Sequence, residues 1–378
     1  MAEYRAIDAD GHITEFHLDW TTRLPAEFRS RAPVLIPGDV DVTAVAGGEN
    51  RANAMRIDGY RFPDPSFEGH GRWATGRVTV PANPDGMHDP NARLPDMDTE
   101  GIEAAVLYGT RIAFFANSSP DWRYAQALCR SWNDWAAEYC AANPARLKFA
   151  ALVPLGDMGA AVEEAQRAVR DLAAVGITCG PTYFDRSLDQ SYFDPLYAAL
   201  QELDVPLCVH GNTGMGRQTT TIGRHDNWLI THALSFPMGL THALASVVCG
   251  GVLERFPTLR VAFLEGGCGW LPFYMDRLDE HVEKLPVLVP WLTRAPSEYI
   301  RGGRLFISCE PEEDLAYPIS RLGEDVIMYA SDYAHWDCEY PNSVRKIAER
   351  AELTEAQKHK ILRENALNCY RLSVPAAV

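Results

Sequence analysis

The chain has 378 residues, of which 47% are hydrophobic and 23% charged, a composition that is ordinary for a globular protein and excludes a disordered or fibrous one. Its 51 acidic residues outnumber 35 Lys and Arg, giving a net charge of −16, and no basic run offsets this, so we expect neither nucleic acid nor an anionic membrane as a partner. The start, MAEYRAIDADGH, lacks the basic and apolar segments of a signal peptide, and no stretch approaches 18 uncharged apolar residues. Nine cysteines without a CxxC pair indicate reduced, buried thiols and a cytoplasmic location.

Short apolar runs that end in a polar residue or Gly alternate along the chain with segments of helical periodicity. The eight runs that we predict as strands are Ala6–Asp10, Ala104–Tyr108, Leu147–Val153, Gly176–Gly180, Pro206–His210, Arg260–Glu265, Arg304–Ser308 and Val326–Ala330. Eight strands joined by helices predict the α/β class and a closed (β/α)8 TIM-like barrel, as one domain over residues 1–378. An open doubly wound sheet is the alternative, but no GxGxxG turn supports its dinucleotide-binding form.

Helix starts are predicted by capping residues and by apolar spacing. One apolar stripe extends from Trp122 to Tyr139, and Thr354 begins a TEAQ capping box. Asp157 and Asp194 are the predicted N-caps of helices at 160–172 and 195–203.

One stretch interrupts this alternation. Residues 17–93 are rich in Pro, Gly, Asn and Asp, and a loop of that length inside a compact domain is usually functional or disordered. Its aromatic residues indicate that it packs against the protein. We therefore predict a long insertion after the first strand that roofs the active site.

In an α/β barrel the reactive side chains stand at the carboxyl ends of the strands. That position selects residues at the ends of the first, fifth, sixth, seventh and eighth runs: Asp10, His12, His210, Glu265, Glu310 and Asp332. So many carboxylates and imidazoles on one rim would repel or desolvate one another unless a cation lay among them. The set therefore predicts one divalent metal ion, with Zn²⁺ the first choice and Mn²⁺ or Fe²⁺ the alternatives.

Spacing supports this prediction at the first strand, because residues two apart in a strand point to the same side, so that Asp10 and His12 can reach one ion. Each residue alone has a simpler interpretation. Asp10 could cap a loop, His210 could be a structural histidine, and Asp332 could cap the following helix. Their shared position at strand ends favours the metal site.

Several longer segments carry a family resemblance. These are IDADGHITE, LPDMDTEGIEAAVLYGT, VPLCVHGN, GGVLERFPTLRVAFLEGGCGWLPFYMDRLDEH, MYASDYAH and ILRENALNCYRL. The chain resembles the decarboxylase-like branch of the amidohydrolase superfamily, the amidohydrolase 2 family, which includes aminocarboxymuconate semialdehyde decarboxylase and the resorcylate decarboxylases. The resemblance implies a barrel with one divalent metal held by Asp10, His12, His210 and Asp332, and a homodimer or tetramer.

Two positions depart from the family pattern. Asp10 stands where the named decarboxylases usually have His or Glu, and Glu265 stands where a catalytic histidine is common. Glu265 could orient a ligand histidine, transfer a proton or bind the metal. The candidate catalytic residues are Glu265, Asp332 and His335, and the candidate substrate-binding residues are Glu15, Arg224, His225, Trp228 and Glu310.

The predicted function is a metal-dependent enzyme acting on a small-molecule substrate. Because the strand-6 histidine is missing, we favour a hydrolase that cleaves a C–N or C–C(=O) bond of a small organic acid or ring-derived compound. The first alternative is a non-oxidative metal-dependent decarboxylase. A second alternative, from another class, is a non-catalytic ligand-binding barrel.

Overall fold

The structure, a computed structural model, describes residues 4–15, 17–41, 51–58, 60–63, 85–110, 112–211, 228–335 and 337–373. Its centre is one sheet of eight parallel strands that follow the chain in order. They are β1 (Ala6–Ile13), β2 (Ile102–Gly109), β3 (Leu147–Leu152), β4 (Gly176–Cys179), β5 (Leu207–His210), β6 (Val261–Leu264), β7 (Leu305–Cys309) and β8 (Ile327–Tyr329). All eight predicted runs are barrel strands, so the predicted (β/α)8 TIM-like barrel is confirmed.

Helices follow the strands and cover the outside of the barrel. The main helix after each strand is, in order, α1 (Pro90–Glu100), α2 (Trp122–Cys140), α3 (Met158–Leu172), α4 (Asp194–Leu203), α5 (Trp228–Cys249), α6 (Leu271–Lys284), α7 (Ala316–Leu322) and α8 (Ser343–Ala348). Short helices lie at Trp20–Arg23, Ile112–Phe115, Val252–Arg255, Pro296–Ile300, Glu355–His359 and Asn365–Tyr370, with a π-helical turn at Lys360–Glu364 between the last two. Single 3₁₀ turns occur at Ala26–Arg31, Asp85–Met87, Ala116–Ser118, Ser191–Phe193 and Pro286–Leu288.

The strands are apolar along most of their length because both faces of the barrel wall are buried. One apolar cluster, which includes Ile13, Ala105 and Leu107, fills the layer between strands and helices. A second, which includes Ile7, Ala9 and residues of six other strands, fills the barrel interior. The barrel interior is therefore a packed core, and the polar strand ends meet at its carboxyl rim.

The end of the first strand and the cap of one helix differ from the prediction. The first strand extends to Ile13, beyond the predicted end at Asp10, because it continues to pair with β2 through His12 and Tyr108. Asp194 is not an N-cap: it lies in the first turn of α4, after Phe193, which makes no side-chain capping bond. The other two predicted caps are confirmed, since Asp157 accepts from the Ala160 amide and Thr354 forms a capping box with Gln357.

The insertion after β1 contains an antiparallel sheet of three strands, Val34–Asp41, Arg51–Ile57 and Tyr60–Pro63. Its predicted end at residue 93 is too late, because residues 90–93 belong to α1, the crossover helix of the barrel itself. Residues 42–50, 59 and 64–84 lie outside the described residues. That the insertion roofs the site stays a prediction.

The nine cysteines are free thiols, and eight of them are buried, as expected for reduced thiols. In the described part of the chain, the segment His232–Cys249 of α5 is long and apolar enough to cross a membrane by length and composition alone. It contacts β5 and α6, and 39% of it is buried inside the protein. The expectation that the chain has no membrane span stays a prediction.

Candidate metal centre

A β-bulge in the first strand aims two side chains at the rim. Along β1 the register advances from Asp8 opposite Ala105 to Gly11 opposite Leu107, so three steps on β1 match two on β2. Bulges of this kind occur beside active sites, where they redirect a side chain. Ala9 packs in the barrel interior, and the bulge lets its neighbour Asp10 face the same side, with His12 two residues further on.

The first group of convergent donors comes from β1, β5 and the end of β6. Ligand atoms of Asp10, His12, His210 and Glu265 all lie within 4.8 Å of one another. His210 Nε2 is 3.0 Å from Glu265 Oε2 and 3.5 Å from Asp10 Oδ1. His12 Nε2 is 3.6 Å from an oxygen of each of these two carboxylates.

A second group overlaps the first and brings in the residues after β8. It contains His12, Glu265, Asp332 and His335, again with ligand atoms within 4.8 Å of one another. His12 Nε2 is 3.3 Å from Asp332 Oδ1, and His335 Nδ1 is 2.8 Å from the same oxygen. His12 and Glu265 thus lie at the centre of one continuous cluster.

The backbone places the two late carboxylates in an unusual conformation. Glu265 has φ 51° directly after β6, and Asp332 has φ 48° three residues after β8, so both residues adopt the left-handed conformation. Such conformations are uncommon for residues other than Gly and occur at functional sites, where the surrounding structure holds them. Ser308 Oγ accepts from the Glu265 amide at 3.1 Å, and Asp10 O accepts from the Asp332 amide at 3.0 Å.

The donors fit a divalent cation. Among the described residues, Asp10 Oδ1, His12 Nε2 and Asp332 Oδ1 are buried and make no hydrogen bond, although buried polar atoms are normally satisfied. Donors bound to one ion at about 2.1 Å stand roughly 3.0–3.4 Å apart at octahedral or tetrahedral angles, close to the observed spacing of 3.0–3.6 Å. A mixed imidazole and carboxylate set suits Mn²⁺, Fe²⁺ or Zn²⁺.

The electrostatics of the cluster show the same need for a cation. Burial raises the pKa of Asp332 well above its usual value, and the nearby charge of Glu265 adds to this. The pKa of Glu265 is likewise raised by burial, against the opposing effect of His210. Burial lowers the pKa of His12 well below its usual value, whereas the adjacent Asp10 and Glu265 outweigh burial at His210 and raise its pKa.

A cavity of about 420 Å³ opens beside the cluster at the rim. Its wall includes six carboxylates: Glu265, Glu310, Glu312, Glu313, Asp332 and Asp337. Burial, with the charges of Asp337 and Glu313, raises the pKa of Glu310 well above its usual value. Glu310 was a predicted substrate contact, and the structure places it in this wall.

Sequence reasoning did not identify several lining residues. His232 and Phe236 of α5 line the cavity with their rings 4.7 Å apart, and Asp337 is one of its carboxylates. His232 and Phe236 are four residues apart, which is helical spacing, and that spacing could have placed them on one face of α5.

The remaining predicted substrate contacts differ in their placement. Glu15 is fully buried and accepts from the backbone amide of Ile112, so its role in substrate binding stays a prediction. Arg224 and His225 lie outside the described residues. Trp228 begins α5, where only its backbone is described.

Fold and cluster together define a TIM barrel with a divalent metal centre at its carboxyl rim. A family model described as amidohydrolase matches residues 7–372, so the chain belongs to the amidohydrolase family. The gamma-resorcylate decarboxylase of Rhizobium sp. (strain MTP-10005) is 28% identical over 295 residues, which cover 75% of this chain and 87% of that protein.

Solved structures agree with this assignment. A 2,6-dihydroxybenzoate decarboxylase complexed with 2,6-dihydroxybenzoate has a TM-score of 0.66 and 26% identity, covering 78% of this chain and 94% of that one. A 5-carboxyvanillate decarboxylase variant from Novosphingobium aromaticivorans, with bound manganese and 3-methoxy-4-hydroxy-5-nitrobenzoic acid, has a TM-score of 0.68 and 20% identity, covering 98% and 97%.

These similarities sharpen the sequence-based predictions. The chain is an enzyme of the amidohydrolase family, and a divalent metal is supported, although zinc, the first choice from the sequence, is not specifically supported. The preference for a hydrolase is also not supported, because the relatives described above are decarboxylases, the first alternative. That preference was based on the missing strand-6 histidine, and Glu265 at this position is part of the metal cluster instead.

Proposed function

We propose that this enzyme is a metal-dependent, non-oxidative decarboxylase of a small aromatic acid that carries a hydroxyl group beside its carboxylate. The observation that carries the proposal is the convergence of His12, His210 and three carboxylates beside a cavity of about 420 Å³. Relatives named for resorcylate and dihydroxybenzoate decarboxylation support this substrate class.

The ligands proposed for the ion are Asp10, His12, His210, Glu265 and Asp332. The first four meet at one point, and Asp332 Oδ1 joins them through its 3.3 Å distance to His12 Nε2. Glu265 is thereby assigned as a ligand, one of the three roles that its sequence position left open. Manganese is the proposed ion, because an oxygen-rich set suits it and a related decarboxylase has it bound.

When bound, a divalent cation supplies a positive anchor for the substrate carboxylate and the adjacent oxygen. The chain supplies the proton. His335 lies 2.8 Å from Asp332 Oδ1 and is buried at the rim, so a protonated His335 can give its proton to the ring carbon while the carbon–carboxylate bond breaks and carbon dioxide leaves. Asp332, a proposed ligand, lies beside that imidazole.

Glu310 forms the proposed contact with the far side of the substrate. Its pKa is raised by burial and by the carboxylates around it, which favours the protonated form of the side chain. A neutral carboxylic acid donates a hydrogen bond to a ring hydroxyl or other substituent oxygen. A wall with this many acidic groups disfavours a substrate that carries a second carboxylate.

The test uses protein that is freed of metal with a chelator and then reloaded with Mn²⁺. With 2,6-dihydroxybenzoate in ¹⁸O-labelled water, the loaded enzyme is expected to release one carbon dioxide per resorcinol formed, with no label in the aromatic product. Chelated enzyme should be inactive.

Release of no carbon dioxide from hydroxybenzoates, together with turnover of a C–N substrate such as 2-hydroxybenzamide, would support hydrolysis and overturn the proposal. A parallel assay with an aromatic dicarboxylate tests the acidic wall. The expected kcat/KM is about tenfold lower, since one unfavourable charge contact is worth about 1–2 kcal/mol.

A further inference from the structure

One fully buried carboxylate beside the metal centre is not used by the proposed chemistry. Asp8 precedes the bulge of β1, has no solvent exposure and belongs to neither group of convergent donors. Its side chain lies on the opposite side of the strand from Ile7 and Ala9, which fill the barrel interior. A buried charge is costly unless its partners make it useful, so the position calls for an explanation.

Asp8 joins the first strand of the barrel to the last. Its Oδ1 accepts from the Ser331 amide at 2.9 Å, and its Oδ2 accepts from Ser331 Oγ at 2.6 Å. Ser331 directly precedes Asp332. The β1–β8 seam has no strand ladder in the described sheet, and two further backbone bonds close it: Asp332 N to Asp10 O at 3.0 Å and His12 N to Tyr333 O at 2.8 Å.

Asp8 also holds the bulge. Its Oδ1 accepts from the amide of Asp10 at 3.2 Å, which stabilises the backbone conformation that aims Asp10 at the rim. The same carboxylate oxygen therefore fixes Asp10 on one strand and the residue before Asp332 on the other.

Arg93 of α1 supports the carboxylate from behind. It is 1% exposed, its Nη2 lies 3.9 Å from Asp8 Oδ2, and its Nη1 donates to His12 O at 2.9 Å. The arrangement depends on Gly11, because a Cβ there would lie 2.6 Å from Arg93 Nη2 and 2.7 Å from Asp8 Oδ2. Arg93 thus links Asp8 to the backbone of the ligand His12.

From these contacts we propose that Asp8 is a positioning residue: it sets the distance of Asp332 from Asp10 and His12 across the barrel seam, and thereby the affinity for the metal. The inference rests on the proposed metal centre. Groups that orient metal ligands in this way commonly contribute 10–100-fold to metal affinity or activity.

The test compares the Mn²⁺ dissociation constants of the variants, measured by calorimetric titration of chelator-treated protein. The titrations are run at a temperature below the unfolding transition of every variant. Asp8→Asn keeps one acceptor but turns an N–H₂ group toward Ser331 Oγ and Arg93, and we expect affinity to fall 10–100-fold. Ser331→Ala removes only the hydroxyl contact, and we expect a fall of about three- to tenfold. Turnover should fall in parallel in both variants.

The matched control is Glu164→Gln, which alters a carboxylate that is equally buried but lies on α3, outside both groups of donors. It should lower thermal stability and leave the Mn²⁺ affinity within twofold of wild type. If Asp8→Asn does not fold, Ser331→Ala decides the question.

Unchanged affinity in folded Asp8→Asn, or in Ser331→Ala where the first variant does not fold, would assign Asp8 a structural role only and overturn the inference. Wild-type protein that binds no Mn²⁺ would overturn the proposed function together with it. Loss of Mn²⁺ affinity in Asp8→Asn would support the positioning role even if the enzyme did not turn over 2,6-dihydroxybenzoate.

Discussion

Two buried acidic regions of this enzyme differ in which groups neutralise their carboxylates. On the outer layer, Glu164 of α3 accepts from Asn133 Nδ2 at 2.7 Å and from both Nη2 and Nε of Arg167, at 2.7 and 2.9 Å. Arg130 approaches the same carboxylate at 3.2 Å. At the rim, three carboxylates meet the imidazoles of His12 and His210, and no Arg or Lys pairs with them among the described residues.

The chain's own side chains neutralise the buried charge of Glu164 but not the charges at the rim. Glu164 is part of a finished network that also ties α2 to β3, because Asn133 exchanges two hydrogen bonds with the backbone of Leu152. The rim carboxylates have no such partners, and burial alone makes their ionised forms unfavourable. The first region stabilises the fold, and the second requires a cation.

The strongest way to break this contrast is to remove the imidazoles. The double variant His12→Ala, His210→Ala is expected to bind no stoichiometric Mn²⁺ and to lose about a thousandfold or more of its turnover, because the substrate anchor is gone. Elemental analysis and an assay of carbon dioxide release measure both losses. Retained metal in a folded double variant would contradict the ligand assignment.

The outer region is tested by Glu164→Gln. Two arginines would then face a neutral amide, and we expect a loss of about 2 kcal/mol in the free energy of unfolding, or roughly 30-fold in the equilibrium constant, since both arginines keep some access to water. Chemical denaturation with and without Mn²⁺ gives the value. A variant with weakened metal binding would show that the two regions are coupled.

The contrast also predicts a pH dependence of stability in the chelated protein. The pKa values of Asp332, Glu310 and His210 are raised on folding, so the folded state holds more protons than the unfolded state once the pH exceeds their ordinary values, about 4 for the carboxyls and about 6.5 for the histidine. Stability should then fall as pH rises above those values, by up to about 1.4 kcal/mol per pH unit for each retained proton.

Bound Mn²⁺ should flatten this profile, because the cation replaces the protons at the ligands. His12 acts in the opposite direction, since its lowered pKa reduces stability only below about pH 6.5. Unfolding free energies measured across the range, with and without metal, provide the check. A chelated protein that became more stable toward pH 8.5 would be inconsistent with these raised pKa values.

The smallest expected effect comes from substitutions of Glu310, which test whether this side chain acts in its protonated or its ionised form. Glu310→Gln keeps a donor and should change kcat/KM by no more than about twofold, whereas Glu310→Ala removes the contact and should lower it about tenfold. Steady-state kinetics of the Mn²⁺ enzyme at pH 7 compare the two. Equal damage by both substitutions would mean that the carboxylate acts in its charged form.

The sequence predicted the architecture well because the signals were local and repeated. Each barrel strand is a short apolar run with a polar end, and that pattern located Asp10, His12, His210 and Asp332 at one rim. Strand-end position also brought Glu265 into the candidate set, although its place at the centre of the cluster required the structure.

Features that depend on contacts between distant segments could not be predicted. The bulge at Ala9 and Asp10 leaves no mark in the alternation of apolar and polar residues. The predicted strand therefore ended at Asp10, before Gly11, whereas the strand continues to Ile13. The role of Asp8 depends on its contacts with Ser331, 323 positions away, and with Arg93 on the first crossover helix. His232 enters the cavity because α5 packs across the rim, which helical periodicity alone does not reveal.

The central claim is that a single divalent ion is held by side chains from the first, fifth, sixth and eighth strand ends. Anomalous diffraction at the manganese edge, from crystals grown with Mn²⁺, measures this directly. The account predicts one strong peak within about 2.0–2.3 Å of donor atoms of Asp10, His12 and His210. A peak elsewhere, or none at this rim, would contradict it.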